Sequence, residues 1–277
     1  MLALADPDIP ILHSTQIQPD MCSNRRSVAR DKPYHGVCDT VTLSRIKALV
    51  FDTFGTVVDW RSSLIFELSK FGQENGVVGD WPLLVDEWRA AYHPSMDRVR
   101  KGEIPWTNVD TLHRQSLEVL IAKLQISGLT SENLGELTNA WCRLCPWPDV
   151  LEGMQRLSTR YLLGPLSNAN VALMVRLRKF AGLPWDFVFG ADLWRHYKPD
   201  PEAYQGACKL LGLAPNEVML VAAHNYDLHA ARTQGLWTAF IPRPHEYGPR
   251  QQSDFIAEEA WTVVASDLRD LASLLVI

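Results

Sequence analysis

The sequence predicts an α/β protein built on a parallel sheet, with a block of helices inserted after the first strand. Three observations lead there. The apolar run Ala48-Leu49-Val50-Phe51 stops at Asp52 and turns through Gly55-Thr56, as a strand buried on both faces does. After Pro148, short apolar runs alternate with helical patterns, which implies right-handed crossovers between parallel strands. Between these two regions, residues 62–147 read as helical.

In the first strand, Asp52 falls at the carboxyl end, where open α/β sheets place their ligands. A carboxylate that caps the following turn is the plainer alternative. In the insert, apolar residues recur at helical spacing in four runs: Leu64, Ile65, Leu68 and Phe71; Leu84, Trp88 and Tyr92; Leu117, Leu120, Ile121 and Leu124; Leu134, Leu137 and Trp141. Turn signals at 76–82, 102–105 and 128–132 separate about four helices. Such a block would cover the strand ends as a lid.

The pattern then predicts a helix at 150–159 and a strand at 161–166 that ends on Ser167-Asn168. A helix at 171–180, a short strand at 187–189 and a helix at 201–211 follow. The strong apolar strand at 218–223 ends on His224-Asn225-Tyr226-Asp227 and runs into an alanine-rich helix. A fifth strand at 237–241 and a closing helix at 267–275 complete the alternation. Gly164-Pro165 is unusual inside a strand and is expected to bend its end.

Residues 1–42 carry Pro7, Pro10, Pro19 and Pro33 around a polar stretch at 23–27 and show no sustained periodicity. They are expected to form a disordered extension, or to reflect a start codon placed too far upstream. No basic start leads into an apolar core and cleavage site, so a secretory signal is not expected. Asp6, Asp8 and Asp20 weigh against a transit peptide.

With 47% hydrophobic and 21% charged residues, the chain has the composition of a soluble globular protein. A net charge of −5 without a Lys/Arg stripe argues against nucleic acid and anionic membrane surfaces as partners. No apolar run reaches the roughly 20 residues of a membrane span. Five scattered cysteines do not make a disulfide framework and suit a reducing cytoplasm. Cys142 and Cys145 have C-x-x-C spacing but lack a second ligand pair, so structural thiols are expected.

Four polar clusters fall at equivalent places beside the strand ends. They are Asp52 with Thr56, Ser167 with Asn168, Lys198 in Tyr-Lys-Pro-Asp-Pro, and Asp227. Each has a duller reading as a cap, a turn residue or a solvated charge. Together, a carboxylate, a hydroxyl and amide pair, an ammonium and a second carboxylate make a plausible nucleophile site.

In this order and spacing, the four clusters resemble the motifs of the haloacid dehalogenase superfamily over about residues 46–275. The resemblance implies a Rossmann-like core at 43–61 and 148–277 with a helical cap domain at 62–147. It also implies that Asp52 is a nucleophile forming a covalent aspartyl intermediate. Most members are magnesium-dependent phosphatases, which carry a second Asp two residues after the nucleophile as general acid. Here that residue is Phe54, which cannot transfer a proton. Where phosphatases hold magnesium with an acidic residue four before the last Asp, this chain has Ala223, so the cation would lack a carboxylate.

The closer resemblance is to type II L-2-haloacid dehalogenases, through D-x-aromatic-G-T, S-N and K-P-D-x-x-x-Tyr. It implies cofactor-free hydrolysis of small 2-halo carboxylates, with attack by Asp52, expulsion of halide and hydrolysis of the ester. Thr56, Ser167 and Lys198 would hold the substrate carboxylate or the nucleophile, and Tyr204 would support that network. Asp227 would orient Lys198 and water. Asn168 and Arg89, the latter from the lid, would receive the halide; Phe54, Trp60 and Tyr226 would wall the pocket, with core packing the equal alternative for Trp60. His224 departs from the pattern and is either a water-positioning group or general base, or a satisfied supporting donor. A homodimer is implied only by the resemblance. The alternatives are a phosphatase or phosphonatase-like hydrolase of the same fold and a non-catalytic small-acid or protein-binding module.

Overall fold

The computed structural model describes residues 43–276; the extension expected at 1–42 lies outside the described residues. Strand β1 (Ala48–Phe51) is buried along its whole length, which is why its four residues are all apolar. Five helices follow before the alternation resumes: α1 (Trp60–Asn75), α2 (Trp81–Ala90), α3 (Tyr92–Arg100), α4 (Val109–Lys123) and α5 (Ser131–Asn139). Asp59, Asp80, Asn108 and Thr130 cap the N-termini of α1, α2, α4 and α5 by accepting backbone N–H groups. Gly76 ends α1 at φ +66°, a conformation that favours glycine.

The run Leu84–Trp88–Tyr92, expected to form one helix, is divided between α2 and α3. The cause is Pro94, which has no N–H for the Ala90 carbonyl and whose ring would crowd that carbonyl in a continuous helix. The chain therefore restarts at Ala91, and five helices stand where about four were expected.

The remainder runs α6 (Val150–Leu157), β2 (Leu162–Ser167), α7 (Val171–Ala181), β3 (Phe189–Gly190), α8 (Pro201–Leu211), β4 (Val218–Ala222), α9 (Asn225–Thr233), β5 (Trp237–Phe240), β6 (Val263–Val264) and α10 (Leu268–Leu275). The six strands form one parallel sheet in the order β3-β2-β1-β4-β5-β6. Gly164-Pro165 does not interrupt β2, because pairing with β3 begins only at Leu166. Gly164 is required by packing: a Cβ there would lie 2.3 Å from the Phe187 ring.

The strand order reverses at β1, between β2 and β4. At such a switch point the connections leave in opposite directions and open a crevice at the carboxyl ends. Asp52, Asn168, and Ala223 with His224 are the residues that follow β1, β2 and β4 there, and Ser167 is the last residue of β2. One further loop closes on this crevice. Arg243, just beyond β5, forms a buried bidentate pair with Asp149 at 2.7 and 2.9 Å and donates to the Thr56 carbonyl at 3.0 Å. That clamp fixes where residues 244–250 approach the turn after Asp52.

Candidate active site

Asp52 is held from both of its oxygens. Oδ1 accepts from Lys198 Nζ at 3.0 Å. Oδ2 accepts from Thr56 Oγ1 at 2.7 Å and lies 3.0 Å from His224 Nδ1. Thr56 is placed by the turn itself, since its Oγ1 also accepts the Ala223 N–H at 2.8 Å. Burial alone would raise the Asp52 carboxyl, but the Lys198 charge, the His224 hydrogen bond and the Thr56 hydroxyl hold it well below the usual carboxylate range.

Lys198 Nζ also donates to Asp227 Oδ2, and Tyr204 OH donates to Asp227 Oδ1 at 2.6 Å. Burial works against the Lys198 charge, yet Asp227 and Asp52 on either side keep the ammonium protonated beyond its ordinary range. Burial pushes the Asp227 carboxyl upward; Lys198 pulls it down and Asp52 adds to the rise. Asn168 positions this lysine through its backbone: Lys198 N donates to Oδ1 at 2.6 Å, and Nδ2 donates to the Lys198 carbonyl at 3.4 Å. Ser167 Oγ accepts the Ala169 N–H at 3.2 Å, which leaves its own proton to give.

Arg89 enters from α2 and is only 6% exposed, so it is not the solvated surface charge that a lone Arg in a helix usually is. Its guanidinium lies 4.6 Å from the Tyr92 ring centre, 5.4 Å from Trp60 and 5.8 Å from Tyr247. Nη2 reaches Tyr247 OH at 3.4 Å, while the buried Nε and Nη1 donate to no group among the described residues. Arg100, by contrast, is paired at the surface with Asp97 and Asp200.

The apolar wall is divided. Phe54 is buried against Tyr92 and Trp141, with ring centres 6.3 and 5.2 Å away. Trp60 is packed in the core beside Trp141 and also forms the floor under Arg89. Tyr226 stands at the rim, 43% exposed, with His93 and His224 beside its ring.

Sequence reasoning missed Glu246. It is 1% exposed, lies 2.9 Å from His224 Nε2 through Oε2, and accepts from Trp60 Nε1 at 3.0 Å through Oε1. Both nitrogens of His224 therefore face carboxylates. Burial opposes charging this imidazole, but Glu246 and Asp52 raise it well above the ordinary histidine range. An imidazolium has no lone pair to offer as a base. Tyr247, next to Glu246, was missed for the same reason: only the Arg243 clamp brings this stretch to the crevice.

A magnesium ion does not fit this donor set. Ala223 supplies no carboxylate, and the two carboxylates nearest it already share the Lys198 ammonium. The site instead gathers three acids, Asp52, Asp227 and Glu246, with three cationic groups, Lys198, Arg89 and His224, all buried. Cys142, expected to be a structural thiol, is buried and pushed up to about 11 by burial, the opposite of a reactive cysteine.

A buried carboxylate at the switch point of a doubly wound parallel sheet, roofed by a cation from the helical block, is the arrangement this fold presents. Residues 46–233 match the family model described as haloacid dehalogenase-like hydrolase, and the chain belongs to that family. The L-2-haloacid dehalogenase PA0810 is similar to it at 53% identity and a TM-score of 0.82, over 83% of this chain and 99% of that one. The defluorinating L-2-haloacid dehalogenase Rha0230 is 43% identical with a TM-score of 0.82, over 84% and 96% of the two chains. The (S)-2-haloacid dehalogenase 4A of Burkholderia cepacia is 28% identical over 244 residues, 82% of this chain and 98% of that protein.

Proposed function

We propose that this protein hydrolyses the carbon–halogen bond of small 2-halo carboxylic acids through a covalent ester on Asp52, giving a 2-hydroxy acid and halide. The observation that carries this reading is the Lys198 ammonium bridging Asp52 and Asp227. It keeps the nucleophile ionised without a metal, and Phe54 two residues on leaves no acid for an alkoxide leaving group. Halide needs no proton to leave, so a site of this kind suits it. The similarity to two L-2-haloacid dehalogenases at 53% and 43% identity points the same way.

Asp52 Oδ1 attacks the halogen-bearing carbon, since it accepts only from Lys198 and keeps a lone pair free. Halide departs toward the unpaired N–H groups of Arg89, and the remaining Asn168 N–H adds to that cradle. Ser167 gives its hydroxyl proton to the substrate carboxylate. Phe54, Trp60 and Tyr226 exclude water from the reacting carbon. In the second step Asp227, raised by burial, takes a proton from water, which attacks the ester carbonyl. Residues 62–147 act as the cap that brings Arg89 over a core formed by 43–61 and 148–277. The scattered cysteines agree with a cytoplasmic location.

Halide release from 2-chloropropionate in the presence of EDTA tests the proposal. Undiminished turnover is expected. Complete loss on chelation, restored by magnesium, would favour a phosphatase-like metal enzyme instead.

A further inference from the structure

The two oxygens of Asp52 are not equivalent. Oδ1 faces Lys198 alone, whereas Oδ2 has Thr56 Oγ1 at 2.7 Å and His224 Nδ1 at 3.0 Å. Behind His224, Glu246 Oε2 lies 2.9 Å from Nε2. The Glu246 carboxylate is in turn fixed by Trp60 Nε1 at 3.0 Å and by Arg89 at 3.9 Å. It presses against the turn that follows the nucleophile: Gly55 has φ +92°, and a Cβ there would lie 2.2 Å from Glu246 Oε1. An imidazole with a carboxylate on each nitrogen makes two good hydrogen bonds only if both nitrogens carry protons.

We propose that Glu246 is a positioning residue that holds His224 as a doubly donating imidazolium, and that His224 Nδ1–H with the Thr56 hydroxyl forms the oxyanion hole for hydrolysis of the Asp52 ester. This rests on the proposed dehalogenase reading and deepens it. In the ester, Oδ1 is bonded to the substrate carbon and Oδ2 is the carbonyl oxygen. Water gives one proton to Asp227 and its oxygen bonds to Cγ, placing negative charge on Oδ2 between the two donors. The Cγ–Oδ1 bond then breaks, Lys198 protonates the departing oxygen, and the 2-hydroxy acid leaves with Oδ1. Asp227 returns its proton to Lys198, and the new Asp52 carboxyl gives up the second water proton to solvent. His224 keeps its proton throughout.

The charged and titratable groups around His224 are Asp52 after β1, Glu246 and Tyr247 from the loop beyond β5, Tyr226 on α9, and Arg89 and His93 from the helical block. Among the described residues, only Asp52 and Glu246 accept from the imidazole. Esterification neutralises Asp52, so Glu246 is then the one anion retaining the imidazolium.

Rapid-quench halide release and intact-mass detection of the Asp52 ester from 2-chloropropionate separate the two chemical steps. For Glu246→Gln the first-turnover halide burst should stay within about threefold of wild type. Steady-state turnover should fall by about 10²–10³-fold, the loss typical of an oxyanion-hole donor, with ester accumulating. The hydrolysis rate of this variant should also decline as pH rises through neutrality, where wild type stays flat. His224→Asn, which keeps a neutral donor, should accumulate ester without that pH response and serves if Glu246→Gln fails to fold. Equal loss of burst and turnover with no ester, or wild-type hydrolysis in either variant, would overturn the inference. A wild type that releases no halide from 2-chloropropionate would overturn the dehalogenase reading itself, a distinguishable result.

Discussion

Lys198 Nζ lies 3.0 Å from Asp52 Oδ1 while donating to Asp227 Oδ2, so one buried ammonium joins the residues that follow β1 and β4. Removing it would leave two buried carboxylates facing each other. Lys198→Met is expected to cost about 3–5 kcal/mol of stability, the range for breaking a buried ion pair from one side. Halide release should fall to background, because Asp52 loses its main counter-charge. Urea denaturation and a halide assay check both; a change in stability below about 1 kcal/mol would mean that the carboxylates relax or share a proton without it.

Arg89 offers two buried nitrogens, Nε and Nη1, whose protons no atom of the described residues accepts. Arg89→Lys keeps the charge but loses the planar fork and its stacking on Tyr92 and Trp60. The burst of halide should slow by about 10²-fold or more, as for a lost electrostatic donor, with no ester accumulating. That is the opposite signature to Glu246→Gln, and rapid-quench kinetics distinguishes them. An unchanged burst rate would remove Arg89 from leaving-group stabilisation.

His113 is 2% exposed, stacked on Trp141 at 4.1 Å between ring centres, and neither ring nitrogen has a hydrogen-bond partner among the described residues. Burial, then the Arg89 charge, pushes it down to about 3. Its folded pKa is therefore below the unfolded value near 6.5, and the unfolded chain binds the extra proton in that window. Stability is thus lost as pH falls from about 6.5 toward 3, at about 1.4 kcal/mol per pH unit. His113→Phe should remove this acid limb, with a gain at pH 5 about 2 kcal/mol larger than at pH 7. Equal shifts of the urea midpoint at the two pH values would contradict the assignment.

The sheet and most of its site were legible because the signals are local. β1, β2 and β4 are apolar runs that stop at polar residues, and parallel pairing at a switch point brings those stops together. Tyr204 and Arg89 were legible only through the family resemblance, with Arg89 singled out among the lid arginines by its place beside Trp88 and Tyr92. β6, only Val263–Val264, is too short to show a period. Pro94 is the local signal that divides the second helical run between α2 and α3. Glu246 had no local signal: its partners His224 and Trp60 lie 22 and 186 residues away, and the Arg243–Asp149 clamp that delivers it spans 94. A charge in a proline-containing loop reads as solvated. The general rule that loops beyond strand carboxyl ends build the site was the one available hint.

The central claim is a covalent ester on Asp52, and a single turnover in ¹⁸O-water tests it most directly. With enzyme in excess over 2-chloropropionate, the heavy oxygen should appear on the peptide carrying Asp52, while the 2-hydroxy acid formed carries unlabelled oxygen from Oδ1. Labelled product with an unlabelled Asp52 peptide would mean that water attacks the substrate directly, and would contradict the account.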